Sequence, residues 1–132
     1  MEITLDKNII ERLKELKIAI LYLFDSYGSE TQKEDSDIDL GIVFENTEVL
    51  RDSLKIYEEL YLIFSKMFDR EIDIVFLDKA PLTLKFEVVV TGKIIYSISE
   101  EFVYEYKERI IKEYIDFKPL LDEQDRVLLE RL

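Results

Sequence analysis

The run Ser36-Asp37-Ile38-Asp39-Leu40 sets two carboxylates one residue apart inside a β-prone apolar stretch. Side chains along a strand alternate between faces, so Asp37 and Asp39 share one face while Leu40, Ile42 and Phe44 continue the other. Like charges on neighbouring positions of one face repel unless something neutralises them. A divalent cation is the usual neutraliser, and hard carboxylate oxygens suit Mg²⁺. The plain alternative is a solvent-facing edge strand whose polar side is acidic.

A second β-prone run, Glu71-Ile72-Asp73-Ile74-Val75-Phe76-Leu77, carries one aspartate among apolar residues. Alternation puts Asp73 on a face with Glu71 and Val75, and Ile72, Ile74 and Phe76 on the other. Beside the first strand, Asp73 can join Asp37 and Asp39 in a three-carboxylate cage for one or two metal ions. Two ions about 3.5–4 Å apart stabilise both the attacking and the leaving oxygen of an in-line phosphoryl or nucleotidyl displacement. Taken alone, Asp73 reads equally well as an ordinary strand-end aspartate.

With these residues in view, the sequence resembles the minimal nucleotidyltransferases, single-domain members of the DNA polymerase β-like superfamily. Their pattern is a strand ending in Gly-Ser, a loop of about ten residues, Asp-x-Asp on the next strand and a third Asp further on. Leu21-Tyr22-Leu23-Phe24 matches the first strand, Ser26 the serine, Asp37 and Asp39 the pair, and Asp73 the third carboxylate. Asp78-Lys79-Ala80-Pro81-Leu82 and Thr91-Gly92-Lys93-Ile94-Ile95-Tyr96 resemble the family's later segments, so the likeness spans nearly the whole chain. It implies a nucleotidyltransferase that binds ATP with Mg²⁺, two ions by the family's habit. Asp37, Asp39 and Asp73 would be the catalytic metal ligands, with Asp73 nearest the attacking hydroxyl. Asp25, Ser26, Tyr27, Gly28 and Ser29 would form the nucleotide-binding turn. Many similar proteins are antitoxins encoded beside a HEPN-type ribonuclease toxin, which they silence by adenylylating one of its tyrosines. The resemblance therefore also implies a toxin partner and a hetero-oligomer.

One departure bears on activity. Asp25 stands where the family has glycine, and the usual small-Arg-Gly stretch after the serine reads Tyr27-Gly28-Ser29-Glu30. Glycine there lets backbone amides approach a triphosphate closely. An aspartate adds bulk and negative charge, and the missing arginine removes a charge-assisted phosphate contact. A shifted register, with Gly28-Ser29 as the motif pair, shortens the loop before Asp37 by three residues. Two other functions stay open: a catalytically weakened module of the same fold that neutralises its partner by contact, and nucleotide transfer to a small molecule.

Composition narrows the chemistry. The 132 residues, 48% hydrophobic and 36% charged, suit one folded domain over 1–132. There is no Cys and no His, so disulfides, thiol catalysis and imidazole bases are excluded, and proton transfer falls to carboxylate, lysine, tyrosine or water. A net charge of −12 argues against direct nucleic-acid binding, which needs a basic footprint, and suits a basic protein partner. No apolar run approaches the roughly 20 residues of a membrane span, and no leader pattern opens the sequence, so a cytoplasmic location without membrane contact is expected.

Around these residues the patterning predicts the elements that position them. Leu5, Ile9, Leu13 and Leu16 predict an amphipathic helix over Asp6 to Leu16. The continuous apolar run from Ile18 to Phe24 predicts a strand buried on both faces. Asp25 to Asp35 reads as a loop, and a strand follows over Asp37 to Phe44. Leu50, Leu54, Tyr57, Tyr61, Phe64 and Phe68 predict a helix of about five turns. Glu71 to Leu77 is a third strand; Pro81 opens a helix that Gly92 ends, and Lys93 to Ser97 is a fourth strand. Ser99 starts another helix, which Pro119 is expected to kink or end, with a last helix through Leu121, Leu128 and Leu132. The predicted fold is α/β (α+β), a small mixed sheet covered by helices. The tyrosines read as core and boundary packing, and Lys85 and Lys93 as solvated lysines rather than phosphate ligands.

Overall fold

The computed structural model describes residues 4–24 and 38–130. Helix α1 (Lys7–Glu15) leads into strands β1 (Ile18–Phe24) and β2 (Ile38–Phe44). A 3-10 segment (Thr47–Asp52) and α2 (Ser53–Phe68) then lead to β3 (Ile72–Phe76). After a short 3-10 turn (Leu77–Lys79) come α3 (Leu82–Thr91), β4 (Lys93–Ser97) and α4 (Glu100–Glu130). The sheet order is β3-β2-β1-β4, with β1 antiparallel to both β2 and β4 and with β2 parallel to β3. This is the small mixed sheet with helices that the patterning predicts.

The two sheet faces are covered separately, as the alternation of apolar residues requires. Leu40, Ile42 and Phe44 of β2 and Ile72 and Ile74 of β3 pack with Leu13 of α1 and Ile56, Leu60 and Phe64 of α2. On the other face Ile20, Tyr22, Phe24 and Val43 pack with Val88 and Val89 of α3 and Tyr106 and Ile110 of α4. Both central strands are therefore buried on both sides, which explains why β1 reads as an unbroken apolar run.

Local signals account for most boundaries. Asp6 caps α1 by accepting from the Asn8 N–H at 2.7 Å, and Ser99 Oγ accepts from the Phe102 N–H at 3.0 Å at the start of α4. Arg12 of α1 meets Glu59 of α2 with two parallel hydrogen bonds, Nη2 to Oε1 at 2.7 Å, tying the two helices together. That contact holds the Glu59 carboxyl below its usual range. Gly92 ends α3 with φ −70°, so it serves here by close approach rather than by a left-handed turn. A Cβ would lie 2.5 Å from the Val88 carbonyl oxygen.

Two expectations are corrected. The helix expected from Leu50 is α-helical only from Ser53; the preceding Thr47–Asp52 is 3-10, and Leu54, a member of the apolar repeat, is 71% exposed. Asn46 caps this segment through the Glu48 N–H, which winds the entry one turn earlier and tighter than the apolar spacing suggests. Pro119 neither ends α4 nor separates a last helix; it lies inside one helix that runs on to Glu130. Proline removes the N–H that would bond the Ile115 carbonyl, but residues 115–120 are all exposed, so water can take that acceptor.

Candidate active site

Asp39 and Asp73 are direct partners in the parallel register between β2 and β3. The start of this pairing is pinned by the Ile38 N–H, which donates to the Glu71 carbonyl at 3.1 Å. Because the flanking Ile38, Leu40, Ile72 and Ile74 belong to the α1/α2 core, alternation turns both aspartates to the α3/α4 face. Asp39 is 4% exposed and is the buried charged side chain among the described residues, whereas Asp73 is exposed. Removing a carboxylate from water costs several kcal/mol unless charge or hydrogen bonds compensate it, so a carboxylate is kept at this position only with such partners.

The layer just inward of the pair is apolar. Phe24, the register partner of Asp39 on β1, and Leu77 close over Gly41. A Cβ on Gly41 would lie 3.1 Å from Leu77 Cδ1 and 3.3 Å from Phe24 Cε1. Phe24 and Ile38, the described residues on either side of 25–37, lie at this same end of the sheet, because Phe24 pairs with Asp39. Asp25, Ser26, Tyr27, Gly28, Ser29 and Asp37 lie outside the described residues. Among the described residues no group of three or more acidic or thiol side chains could hold a metal; Asp39 and Asp73 supply a pair. Two adjacent carboxylates with hard oxygens fit Mg²⁺ as part of a ligand set.

The two lysines lie at opposite ends of the sheet. Lys85 is close enough to Asp78 to act on its charge, and Asp78 lies at the far end of β2, where its Oδ2 accepts from the Phe44 N–H at 3.1 Å. Lys93 is at the Asp39 end, but its register partner is Leu23, which packs on the α1/α2 core. The far end holds a feature that sequence reading missed. Asp78 is pushed up from the ordinary carboxylate range by burial, against the opposing pull of the Phe44 N–H, Lys85 and Arg109. Tyr106 lies near it, with the Arg109 guanidinium 5.2 Å above its ring. The partners Asp78 and Phe44 are 34 residues apart, so no local pattern could pair them. Of the described tyrosines, Tyr22, Tyr96 and Tyr106 are buried and Tyr57, Tyr61 and Tyr114 half-buried, as core and boundary packing requires, whereas Tyr104 is exposed; the hydroxyls of Tyr96 and Tyr106 are buried without a hydrogen-bond partner, which a boundary role would not require. Tyr22 is pushed up to about 12 by burial.

This combination of fold and carboxylate pair defines a class. Residues 7–101 match the family described as polymerase beta, nucleotidyltransferase, and the chain belongs to that family. It is similar to the protein adenylyltransferase MntA of Shewanella oneidensis, 30% identical over 98 residues that make up 73% of this chain and 68% of that protein. Among solved structures, it resembles a chain of a toxin–antitoxin complex with AMP-PNP, with TM-score 0.60 and 25% identity over 90% of this chain and 98% of that one. A chain of the complex between the tri-AMPylated Shewanella oneidensis HEPN toxin and its MNT antitoxin has the same fold, with TM-score 0.57 and 22% identity over 88% and 92% of the two chains. Among the described residues no helix is long and apolar enough to cross a membrane.

Proposed function

We propose that this chain is a protein adenylyltransferase antitoxin that transfers AMP from ATP to a tyrosine hydroxyl of a HEPN-type toxin, in the cytoplasm: the phenolic oxygen bonds to the α-phosphorus, the bond from that phosphorus to the β-phosphate oxygen breaks, and pyrophosphate leaves. The observation that carries the reading is the pairing of Asp39 with Asp73, two carboxylates side by side at one end of the sheet. The similarity to an adenylyltransferase, and to chains solved in toxin–antitoxin complexes, supports the acceptor.

Each residue has a distinct task in this reading. Asp39, buried and fixed by strand pairing on both sides, holds its carboxylate in one place. Asp73, exposed beside it, faces the incoming acceptor and is the group able to take the phenolic proton, in a chain without His. With Asp37 they would hold Mg²⁺, two ions by analogy with the family. When bound, the ions neutralise charge on the polyphosphate and lower the pKa of the attacking hydroxyl. Asp25 opposes polyphosphate binding electrostatically in the ungapped alignment, which favours one competing reading: a partner-binding module with weakened transfer.

Titration calorimetry with Mg-ATP, followed by mass spectrometry of a HEPN toxin incubated with the protein and Mg-ATP, tests the proposal. An AMP adduct on a toxin tyrosine that disappears with Asp39→Asn is the expected outcome. A toxin complex that forms with neither ATP binding nor an adduct would replace the enzymatic reading with the contact reading.

A further inference from the structure

Helix α4 carries its core stripe beyond the body that the stripe packs against. Val103, Tyr106 and Ile110 follow helical spacing on the side turned to the sheet, and Tyr106 and Ile110 are 4% and 1% exposed. The same side continues through Tyr114 to Phe117, with Leu120 beside it, yet Phe117 and Leu120 are 51% and 55% exposed. In the sequence the spacing goes on to Leu121 and Leu128. An apolar helical stripe without a partner is a poor use of a helix, since isolated helical turns are marginal in water.

The direction of α4 shows where this overhang lies. Tyr106 and Arg109 neighbour Asp78, at the end of β2 far from Asp39. Tyr114 then stacks on Phe86 of α3 at 3.9 Å, and Lys118 and Pro119 share a groove with Val90 near the end of α3. The chain leaves α3 through Gly92 into Lys93, which pairs with Leu23, next to the Phe24 that pairs with Asp39. So α4 runs parallel to α3 toward the Asp39 end, on the face to which Asp39 and Asp73 turn. From Pro119 it continues to Glu130, about 16 Å further at a rise of 1.5 Å per residue.

We infer that the overhanging inner side of α4, centred on Phe117 and Leu120, is the docking surface for the protein that carries the acceptor hydroxyl. The inference rests on the proposed transferase function and adds where the acceptor binds. A partner seated there stands at the end of the sheet where Asp39 and Asp73 lie, so docking and presentation of a hydroxyl are one event. Charge selects the kind of partner. Around the apolar residues Asp116, Asp122 and Glu123 are exposed against one exposed cation, Lys118, and the chain carries −12. A second copy would bring the same negative charge, whereas an apolar patch rimmed with Lys and Arg is complementary.

The test uses Phe117→Ser with Leu120→Ser, which removes apolar surface without adding charge, and Asp73→Asn as the comparison. The probe is the purified Shewanella oneidensis HEPN toxin; association is followed by analytical ultracentrifugation and transfer by mass spectrometry. The serine variant should melt with the parent and bind Mg-ATP as well, but bind the toxin at least tenfold more weakly and lose transfer at low toxin concentration. Asp73→Asn should bind the toxin normally and transfer nothing. Unchanged toxin binding by the serine variant would overturn the docking surface while leaving the transferase reading intact. Normal docking by the parent without transfer would remove the transferase reading instead. No association of the parent with this toxin, or a parent dimer that the serine variant dissolves, would overturn the assignment of the surface to a basic acceptor.

Discussion

If Asp39 and Asp73 form part of a cation site, the metal-free protein contains a built-in repulsion that Asp73→Asn should relieve. The two positions are register partners on adjacent strands, which lie about 4.8 Å apart. At about 5 Å, two unit charges interact by roughly 3 kcal/mol at an effective dielectric constant of 20, and by roughly 0.8 kcal/mol in bulk water. Asp39 is buried and Asp73 exposed, so the pair sits between those limits, at about 1–2 kcal/mol. For a domain of this size 1 kcal/mol moves Tm by about 4 °C. Asp73→Asn should therefore melt about 4–8 °C above the parent in EDTA.

Magnesium should reverse that order. A ligand at a hundredfold excess over its Kd stabilises the native state by about 2.7 kcal/mol, close to 10 °C in Tm on the same scale. The parent should gain that increment and Asp73→Asn most of it not, leaving the parent equal or higher. The assay is a thermal melt of each protein in EDTA and in MgCl₂, with ionic strength held constant by KCl so that general screening is the same. A lower melt for Asp73→Asn in EDTA would show that the carboxylate is a structural hydrogen-bonding group. An equal magnesium increment in both proteins would remove Asp73 from the ligand set.

Two further outcomes follow from the packing around the site. Gly41→Ala places a methyl 3.1 Å from Leu77 Cδ1 and 3.3 Å from Phe24 Cε1, so it should destabilise by about 1–3 kcal/mol in urea denaturation; a loss below about 0.5 kcal/mol would mean that both side chains yield freely. Asp78 binds its proton more tightly folded than unfolded, because burial raises it, so its contribution falls as pH rises from its unfolded value through its folded one. Asp78→Asn keeps an acceptor for the Phe44 N–H, and should raise stability at pH 7 and remove that part of the decline, read as urea midpoints at pH 4 and pH 7. An unchanged pH profile in the variant would show that Asp78 is adequately solvated.

What the sequence makes legible here is what periodicity encodes. The strand faces, the shared face that lets Asp73 join Asp39 once their strands are neighbours, and the ends of α1, α3 and β4 all rest on alternation, helical spacing or caps within a few residues. Misreadings arise where distant context decides. Pro119 reads as a kink or a stop, and the stop fails because an exposed helix can give its orphaned carbonyl to water. Leu54 fits the apolar repeat of α2 and is nevertheless exposed, because the stripe that α2 buries runs through Ile56, Leu60 and Phe64, and Leu54 stands about a third of a turn from Leu60. The hydrogen bond from Phe44 to Asp78 and the unpartnered hydroxyls of Tyr96 and Tyr106 depend on packing between elements far apart in the chain.

The same alternation couples stability to chemistry. In β2 the residues that fill the α1/α2 core are Ile38, Leu40, Ile42 and Phe44, and the residue between the first two is Asp39. A slip of one residue would drive Asp39 into that core and turn isoleucine and leucine outward. The apolar side therefore fixes the face on which the carboxylate emerges, and the parallel pairing to β3 fixes its partner. Parallel neighbours need a crossover, and α2 is both that crossover and the lid of the core. Thus burial of Ile56, Leu60 and Phe64 holds β2 and β3 in the one register that sets Asp39 against Asp73. Substitutions in α2 that loosen this packing should separate the carboxylates before they unfold the sheet, which places the control of the site on a helix that packs on the opposite face of the sheet.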